Sequence, residues 1–517
     1  MAENGTIKWQ VNSLKGEQPL QEINIINVEI HGELEKAEAL LHVKPAEKMF
    51  FNGYQTWTWC PEYSATDNIR GLRFTPKKLV SDFGLDRYGD YHFIKYSGRK
   101  GRFHGFSYCY FRNGSNYRMF ASLDEYPGYT IFFYDCQKQQ LRIVRDCQGV
   151  VSDGSFKAFS FAVIEGREDE VFDRWFELLN VKPITDKKLF GYSSWYNRYE
   201  NISIESIEED LRGCRGLLQP GDVFQIDDGW EPAVGDWLRP DPVKFPDGLK
   251  PICDRIHSKG YISGLWLAPF VAATKSQLYK EHQDWFLKYE GENWSDGCNW
   301  GGFCSLDLDN REVRAYIEKC FDRVFNEWGF DMVKLDFLYG GAVFGDAERS
   351  RAAKMIDAMK WLREICGNKL ILGCGVPLMP AFGLVDYCRI GPDVGLDWDG
   401  TILERITHRE RVSTSHAIDN TVYRRQLNGR AFLNDPDVFF LRTDNISLSE
   451  DQKEYQSKIN GLFSGILLTS DNFNKYDEKQ KKTLGKVREL MDAEVLSVNN
   501  NNIRYQLNGV IKGLKKI

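Results

Sequence analysis

The chain has 517 residues, 42% hydrophobic and 27% charged, with 45 Gly spread along it, which excludes collagen-like, fibrous and disordered classes and leaves a globular protein of two or three domains. Its 67 Lys and Arg against 74 Asp and Glu give a net charge of −7, and no basic run is long enough to follow a phosphate backbone, so neither nucleic acid nor an anionic membrane is expected as a partner. The longest uncharged stretch, 370–385, is interrupted by Gly373, Gly375, Pro377, Pro380 and Gly383 and is too short to cross a bilayer.

The start MAENGTIKWQ lacks the layout of a secretory leader, so a cytoplasmic location is expected. Residues 1–183 read as an N-terminal β-sandwich domain of short alternating strands: INIINVEI, ALLHV, HFIKYS, HGFSYCYF, YTIFFYD, QLRIVRD and SFKAFSFAVIE, with no long helix before Asp169–Leu179. From Phe190 the rhythm changes to strands alternating with amphipathic helices. The strands are FGYSSWY, VFQIDDGW, YISGLWLAPF, MVKLDF, LILGCG, YCRIGPDV, AFLNDPDVFFL and GILLTSD. Helices are predicted near Ile204–Leu218, Leu249–Lys259, Arg311–Trp328, Ala347–Cys366, Leu403–Arg424, Glu450–Leu462 and Glu478–Met491. With a brief connector in place of a helix after LILGCG, the eight units make residues 184–492 a (β/α)8 barrel, and 493–517 a short C-terminal β segment.

Twelve Cys occur without a CxxC pair, and eight His without an HExxH motif, so free thiols, no metal site and no organic cofactor are expected. Among 14 Trp, seven (Trp195, Trp230, Trp237, Trp266, Trp285, Trp294 and Trp300) crowd into about a fifth of the chain, beside carboxylates. Core packing explains any single one; their clustering points to a site that stacks on sugar rings.

Barrel enzymes work at the C-terminal ends of their strands. There this chain carries Asp227 and Asp228, Lys334 and Asp336, Cys374, Arg389 and Asp393, Asp435 and Asp437, and Asp471. Carboxylates without clustered His favour acid/base or nucleophilic chemistry. Lys334 and Asp336, two apart, share a strand face, so the ammonium would keep the carboxylate ionised for attack; the competing reading is a buried structural ion pair. Gly391 and Pro392 present Asp393 on a turn next to Arg389, where an aromatic pocket and an opposing carboxylate would raise its pKa and suit it to general acid work; a plain turn Asp is the alternative. Asp227 and Asp228 can grip vicinal hydroxyls, or ligate calcium, or cap a helix. Trp195, Trp230 and Trp266 would wall the apolar face of a pyranose.

With NGYQTW, SSWYNRY, FQIDDGW, GLWLAPF, VKLDF, LGCGVPL, RIGPDV and LNDPD in this order, the chain resembles the glycoside hydrolase family 36 α-galactosidases, most closely the compact bacterial ones. The resemblance implies a retaining enzyme that acts on small-molecule α-galactosides of the melibiose and raffinose type and needs no cofactor. It further implies Asp336 as nucleophile, Asp393 as acid/base, Asp227 and Asp228 on the sugar's O4 and O6, Lys334 and Arg389 on ring hydroxyls, and Cys374 near O2. Trp195 and Trp266 would line the pocket, and Trp57 would close it from the sandwich. Larger relatives have a CSGG-type segment where this chain has Gly373-Cys374-Gly375-Val376-Pro377, which leaves tolerance of a 2-acetamido group open; the runner-up on the same scaffold is an α-N-acetylgalactosaminidase or a galactosyl transferase. A catalytically silent carbohydrate-binding protein is the alternative from another class, and the shorter chain does not inherit an oligomeric state.

Overall fold

A computed structural model describes residues 6–10 by their backbone, together with 21–400, 407–499 and 502–517. The N-terminal part is two stacked sheets. One has five strands in the order Thr6–Gln10, Lys36–His42, Gln140–Asp146, Tyr129–Asp135 and Arg102–Phe106; the other has six, Ile23–Glu33, Val151–Gly166, Asn116–Ser122, Tyr108–Asn113, Lys48–Phe51 and Glu62–Tyr63. Between them Leu41, Phe51, Phe103, Phe111, Phe120, Phe132, Ile143 and Phe161 form a dry core, each ring or branched chain contributing about 1.5–3 kcal/mol of burial. The helix Glu168–Leu179 lays Trp175 on this sandwich, its indole N–H donating to the Ser122 carbonyl at 2.8 Å.

HFIKYS is not a strand. Its alternation is real, but the amides of Phe93 and Ile94 turn back onto the Asp90 carbonyl at 3.1 and 2.7 Å, and the Asp90 carboxylate takes the Tyr96 hydroxyl at 2.5 Å. Turn chemistry from Asp90 overrides the β pattern here. HGFSYCYF divides into two strands at Ser107, whose φ of 66° lies in the left-handed region. A short helix, Lys77–Phe83, went unpredicted.

The barrel strands are Leu189–Ser193, Val223–Ile226, Ile262–Leu267, Met332–Leu335, Leu370–Gly373, Tyr387–Arg389, Leu433–Asp435 and Ile466–Thr469, all parallel. They are shorter than their apolar runs suggest, because each run continues into the loop that carries the polar residues. The eighth strand pairs with the first; between seventh and eighth, the Gly465 amide donates to the Asn434 carbonyl at 2.7 Å. Gly465 is needed for that closure, since a Cβ would lie 2.3 Å from Leu433 Cβ. The helix predicted near Leu403–Arg424 is observed as Thr414–Tyr423, and residues 401–406 of that prediction lie outside the described residues.

Two features bring distant chain to the mouth of the barrel. Residues 268–310 leave the third strand as an excursion containing Val271–Ala273, Ser295–Gly297 and Phe303–Ser305 before the helix Arg311–Asp322 begins. The sandwich loop 52–60 docks on the barrel: the Thr56 amide donates to the Val376 carbonyl at 3.0 Å. The final strands, Glu494–Asn499, Asn502–Leu507 and Val510–Lys515, form an antiparallel sheet whose Ile503, Tyr505 and Leu514 pack on Ile418, Tyr455 and Ile459 of two barrel helices. All twelve Cys are unpaired, Cys298 alone being exposed. Among the described residues, no helix is long and apolar enough to cross a membrane, and no group of three or more His, Cys, Asp or Glu is arranged to hold a metal ion.

Candidate active site

Asp336 sits just past the fourth strand, its amide bonded to the Leu267 carbonyl at 2.8 Å. Its Oδ1 accepts the Phe337 amide at 2.9 Å and its Oδ2 the Trp266 indole at 3.2 Å, while the Cys374 thiol also donates to the carboxylate. Phe337 is held at φ 53°, a left-handed conformation costly for an aromatic residue, and this aims the Asp336 carboxylate into the mouth. Burial raises the Asp336 pKa, against the pull of the Lys334 ammonium. The sequence reading makes Lys334 the group that keeps Asp336 ionised; in the fold its direct partner is instead Asp227, with Nζ 3.0 Å from Oδ2. Burial opposes the Lys334 charge, but the Asp227 and Asp336 carboxylates outweigh it and hold the ammonium above its ordinary range.

Asp227 follows the second strand in a dense network that leaves Oδ1 room for a further donor. Beyond Lys334, its Oδ2 takes Gln225 Nε2 at 2.7 Å and Ser193 Oγ at 3.2 Å, and its Oδ1 takes the Asp228 amide at 3.0 Å. The neighbouring Asp228 turns the other way, accepting the indole N–H of Trp300 on Oδ2 at 2.9 Å, and burial pushes its pKa up to about 6. Trp300 arrives on the excursion, itself at φ 56°, and packs against Trp266 and Phe337.

Across the mouth, Asp393 is 40% exposed and accepts Arg389 Nη2 at 2.9 Å. The Arg389 guanidinium is buried; it also meets Asp437 Oδ2 at 3.1 Å and lies 4.0 Å from Asp435. The fold thus commits it to carboxylates, where the sequence reading gives it a sugar hydroxyl. Asp437, at φ 72°, further takes the Tyr196 hydroxyl at 2.7 Å and the Val394 amide at 2.9 Å, tying the Asp393 turn to the seventh strand. Burial raises the Asp435 pKa to about 6 and raises that of Asp437 as well. Asp471 accepts the amides of Leu441 and Arg442 and the Tyr476 hydroxyl, a structural use.

Trp57 reaches the site from the sandwich, its indole 3.3 Å from Cys374 Sγ and its ring edge-on to Phe337 and Tyr339. Arg424, wholly buried on the helical side, fixes this loop through Nη1 to the Thr56 carbonyl (2.7 Å), Nη1 to the Ile390 carbonyl (2.9 Å) and Nε to Asn52 Oδ1 (3.0 Å). Trp195 is half-buried and shares a polar cavity with Ser193, Gln225, Lys334, Arg389 and Asp393. Trp230 corrects the sequence reading. It is 0% exposed, packs on Trp237 and Trp328 behind the strands, and donates its indole N–H to the Trp266 carbonyl at 2.9 Å, so it wedges Trp266 rather than walling a ligand.

Sequence reasoning did not assign roles to Trp300, Tyr196, Arg424 or Glu231. Trp300 stood in the Trp cluster and Tyr196 beside Trp195, but nothing local marked which face either would present.

Residues 196–351 match the Melibiase family model. Among curated proteins, the chain is 42% identical over 74 residues to α-galactosidase 2 of Pediococcus pentosaceus, covering 13% of this chain and 10% of that protein. It is 30% identical over 151 residues to α-galactosidase of Escherichia coli, covering 26% and 21%. The chain thus aligns with less than a quarter of the length of these curated relatives. Among solved structures, an α-galactosidase from Thermus thermophilus in complex with p-nitrophenyl α-D-galactopyranoside superposes with a TM-score of 0.77 at 25% identity, over 96% of this chain and 95% of that one. The family 36 α-galactosidase AgaA of Geobacillus stearothermophilus shares the fold at a TM-score of 0.59 and 12% identity, over 90% and 66%. A Melibiase segment at the front of the barrel, α-galactosidases aligned with it, and a structural counterpart along nearly the whole chain make this protein similar to the glycoside hydrolase family 36 α-galactosidases.

Proposed function

We propose that the protein is a retaining, exo-acting α-galactosidase that removes terminal α-galactosyl groups from small oligosaccharides by double displacement. The observation that carries this reading is the pair of unlike carboxyl groups at one barrel mouth: Asp336 buried and oriented by three donors, Asp393 part-exposed on Arg389. A fixed anion suits attack on C1, and a reachable acid suits protonation of a leaving oxygen. In the first step an Asp336 oxygen bonds to C1 as the C1–O bond breaks, and the Asp393 proton passes to the leaving oxygen. In the second, water bonds to C1, its proton returns to Asp393, and the ester bond to Asp336 breaks. Asp227, Asp228 and Lys334 would hold sugar hydroxyls; Trp195 and Trp266 would border the ring. The reaction draws its nucleophile and protons from the two carboxyl groups and water.

The contact between Trp57 and Cys374 supports galactose over a 2-acetamido sugar, because both side chains are buried and in contact where the resemblance puts the sugar's O2. Twelve unpaired thiols support a reducing compartment, the cytoplasm. The test is a proton NMR time course with p-nitrophenyl α-galactoside. The α-anomer of galactose is expected first, followed by mutarotation; β-galactose first would mean inversion and remove Asp336 as nucleophile. Turnover confined to the 2-acetamido analogue would favour α-N-acetylgalactosaminidase, and no turnover on either would favour the silent binder.

A further inference from the structure

Glu231 lies three residues beyond Asp228 and is 5% exposed. Among the described residues its Oε2 meets no donor, and the carboxyl it interacts with is that of Asp228, itself only 4% exposed. A carboxylate only accepts, so a bond between two carboxyl groups requires that one of them carry a proton. The other Asp228 contact, from the Trp300 indole, already donates to Oδ2. We propose that Glu231 is a positioning residue: it keeps a proton, donates it to Asp228, and so holds Asp228 as the singly charged acceptor that grips a sugar hydroxyl. This rests on Asp228 being a sugar-binding group.

The surroundings favour a single negative charge. Asp227 stands beside the pair on the same loop, already neutralised by Lys334, and Glu200 faces it from the turn after the helical segment Trp195–Arg198. The Lys244 ammonium in this region is committed to the carbonyls of Glu200 and Gly229, at 3.0 and 2.7 Å. From the excursion comes the neutral Trp300 indole. Burial, then the Asp228 charge, lifts the Glu231 pKa well above the usual carboxyl range, while burial takes Asp228 to about 6. Raised pKa values mean protons kept to higher pH. As pH falls through about 6, Asp228 gains a proton and ceases to accept from a hydroxyl. As pH rises far enough to ionise Glu231, two adjacent charges repel and Asp228 loses its orientation. Both limbs belong to KM, because neither carboxyl touches the reacting bond.

The experiment measures kcat and KM across pH for the wild type, Glu231→Gln and Glu231→Ala with p-nitrophenyl α-galactoside, alongside infrared spectra at pH 7. The amide of Glu231→Gln donates at every pH, so KM near pH 7 should stay within about 3-fold of wild type and its alkaline rise should vanish; Glu231→Ala should raise KM by about 10-fold or more with kcat little changed. The wild type should also show a protonated-carboxyl band that is missing in Glu231→Gln. An alkaline rise that persists unchanged in Glu231→Gln, or a wild type without that band, overturns the proposal. A wild type that shows the band but neither turns over the galactoside nor binds galactose overturns the role of Asp228, leaving the shared proton as a structural feature. If Glu231→Ala does not fold, Glu231→Gln and the band carry the test.

Discussion

The two walls of the barrel mouth use the same residue type in opposite ways. On one wall Asp336 is buried among Trp266, Cys374 and the strained Phe337, and every donor near it is fixed. On the other, Asp393 stands 40% exposed on a turn and is steered by one guanidinium that is itself shared with Asp437. Under the proposed mechanism, identical side chains would take different duties from the number and rigidity of their donors, and from whether water and a leaving group can reach them.

Removing the charge on the buried wall is the strongest way to break this contrast. Asp336→Asn should lower turnover by on the order of 10⁴-fold or more on activated and unactivated galactosides alike, since no neighbour can supply the missing nucleophile. A residual rate that depends strongly on the leaving group would transfer the nucleophile to another residue. The exposed wall should fail selectively. Asp393→Asn should cost about 10²- to 10⁴-fold on raffinose and much less on an aryl galactoside, whose leaving group needs little protonation. Equal losses on the two substrates would remove its acid role.

Two smaller changes sharpen the same comparison. Arg424→Gln strips several buried carbonyls of their donor, with an expected loss on the order of 3 kcal/mol in unfolding free energy by denaturant titration. Because the loop it fixes carries Trp57, discrimination against a 2-acetamido substituent should relax with it; unchanged discrimination would detach Trp57 from the pocket wall. Trp230→Phe should cost about 1–3 kcal/mol of stability while KM stays near wild type, as expected of a residue behind the strands. A large rise in KM would restore it to the site.

How much of this was legible in the sequence depends on how local the determining contacts are. Barrel strands and helices follow from apolar periodicity, and strand-end acids follow from the fold class, so Asp227, Asp228, Asp336, Asp393 and Asp437 could be named before any coordinates. Trp230 misled because a Trp after two Asp reads as a wall, whereas the glycine at 229, with φ 108°, turns the chain so that the ring faces the core. HFIKYS misled because alternation says nothing of the Asp90 carbonyl that folds it back. Trp300 joins Asp228 across 72 positions, and Arg424 joins Thr56 across 368, through segments whose route no local pattern encodes. Glu231 was passed over because its value lies in a proton, and protonation depends on burial that only the assembled fold supplies.

The docking of residues 52–60 on Val376, Arg424 and Cys374 bears on how such a chain can be recombined. A barrel transplanted onto a foreign sandwich would keep both carboxyl groups yet lack a lining for one side of its pocket, and Arg424 would be left holding no loop. A working chimera would have to exchange the loop, its arginine and the Gly375 turn as one cassette, because a Cβ at Gly375 would lie 2.9 Å from both the Phe337 amide and the Trp57 ring. The seam between the two parts is therefore inherited as a matched set, and a crossover placed elsewhere in the chain is the one that leaves it whole.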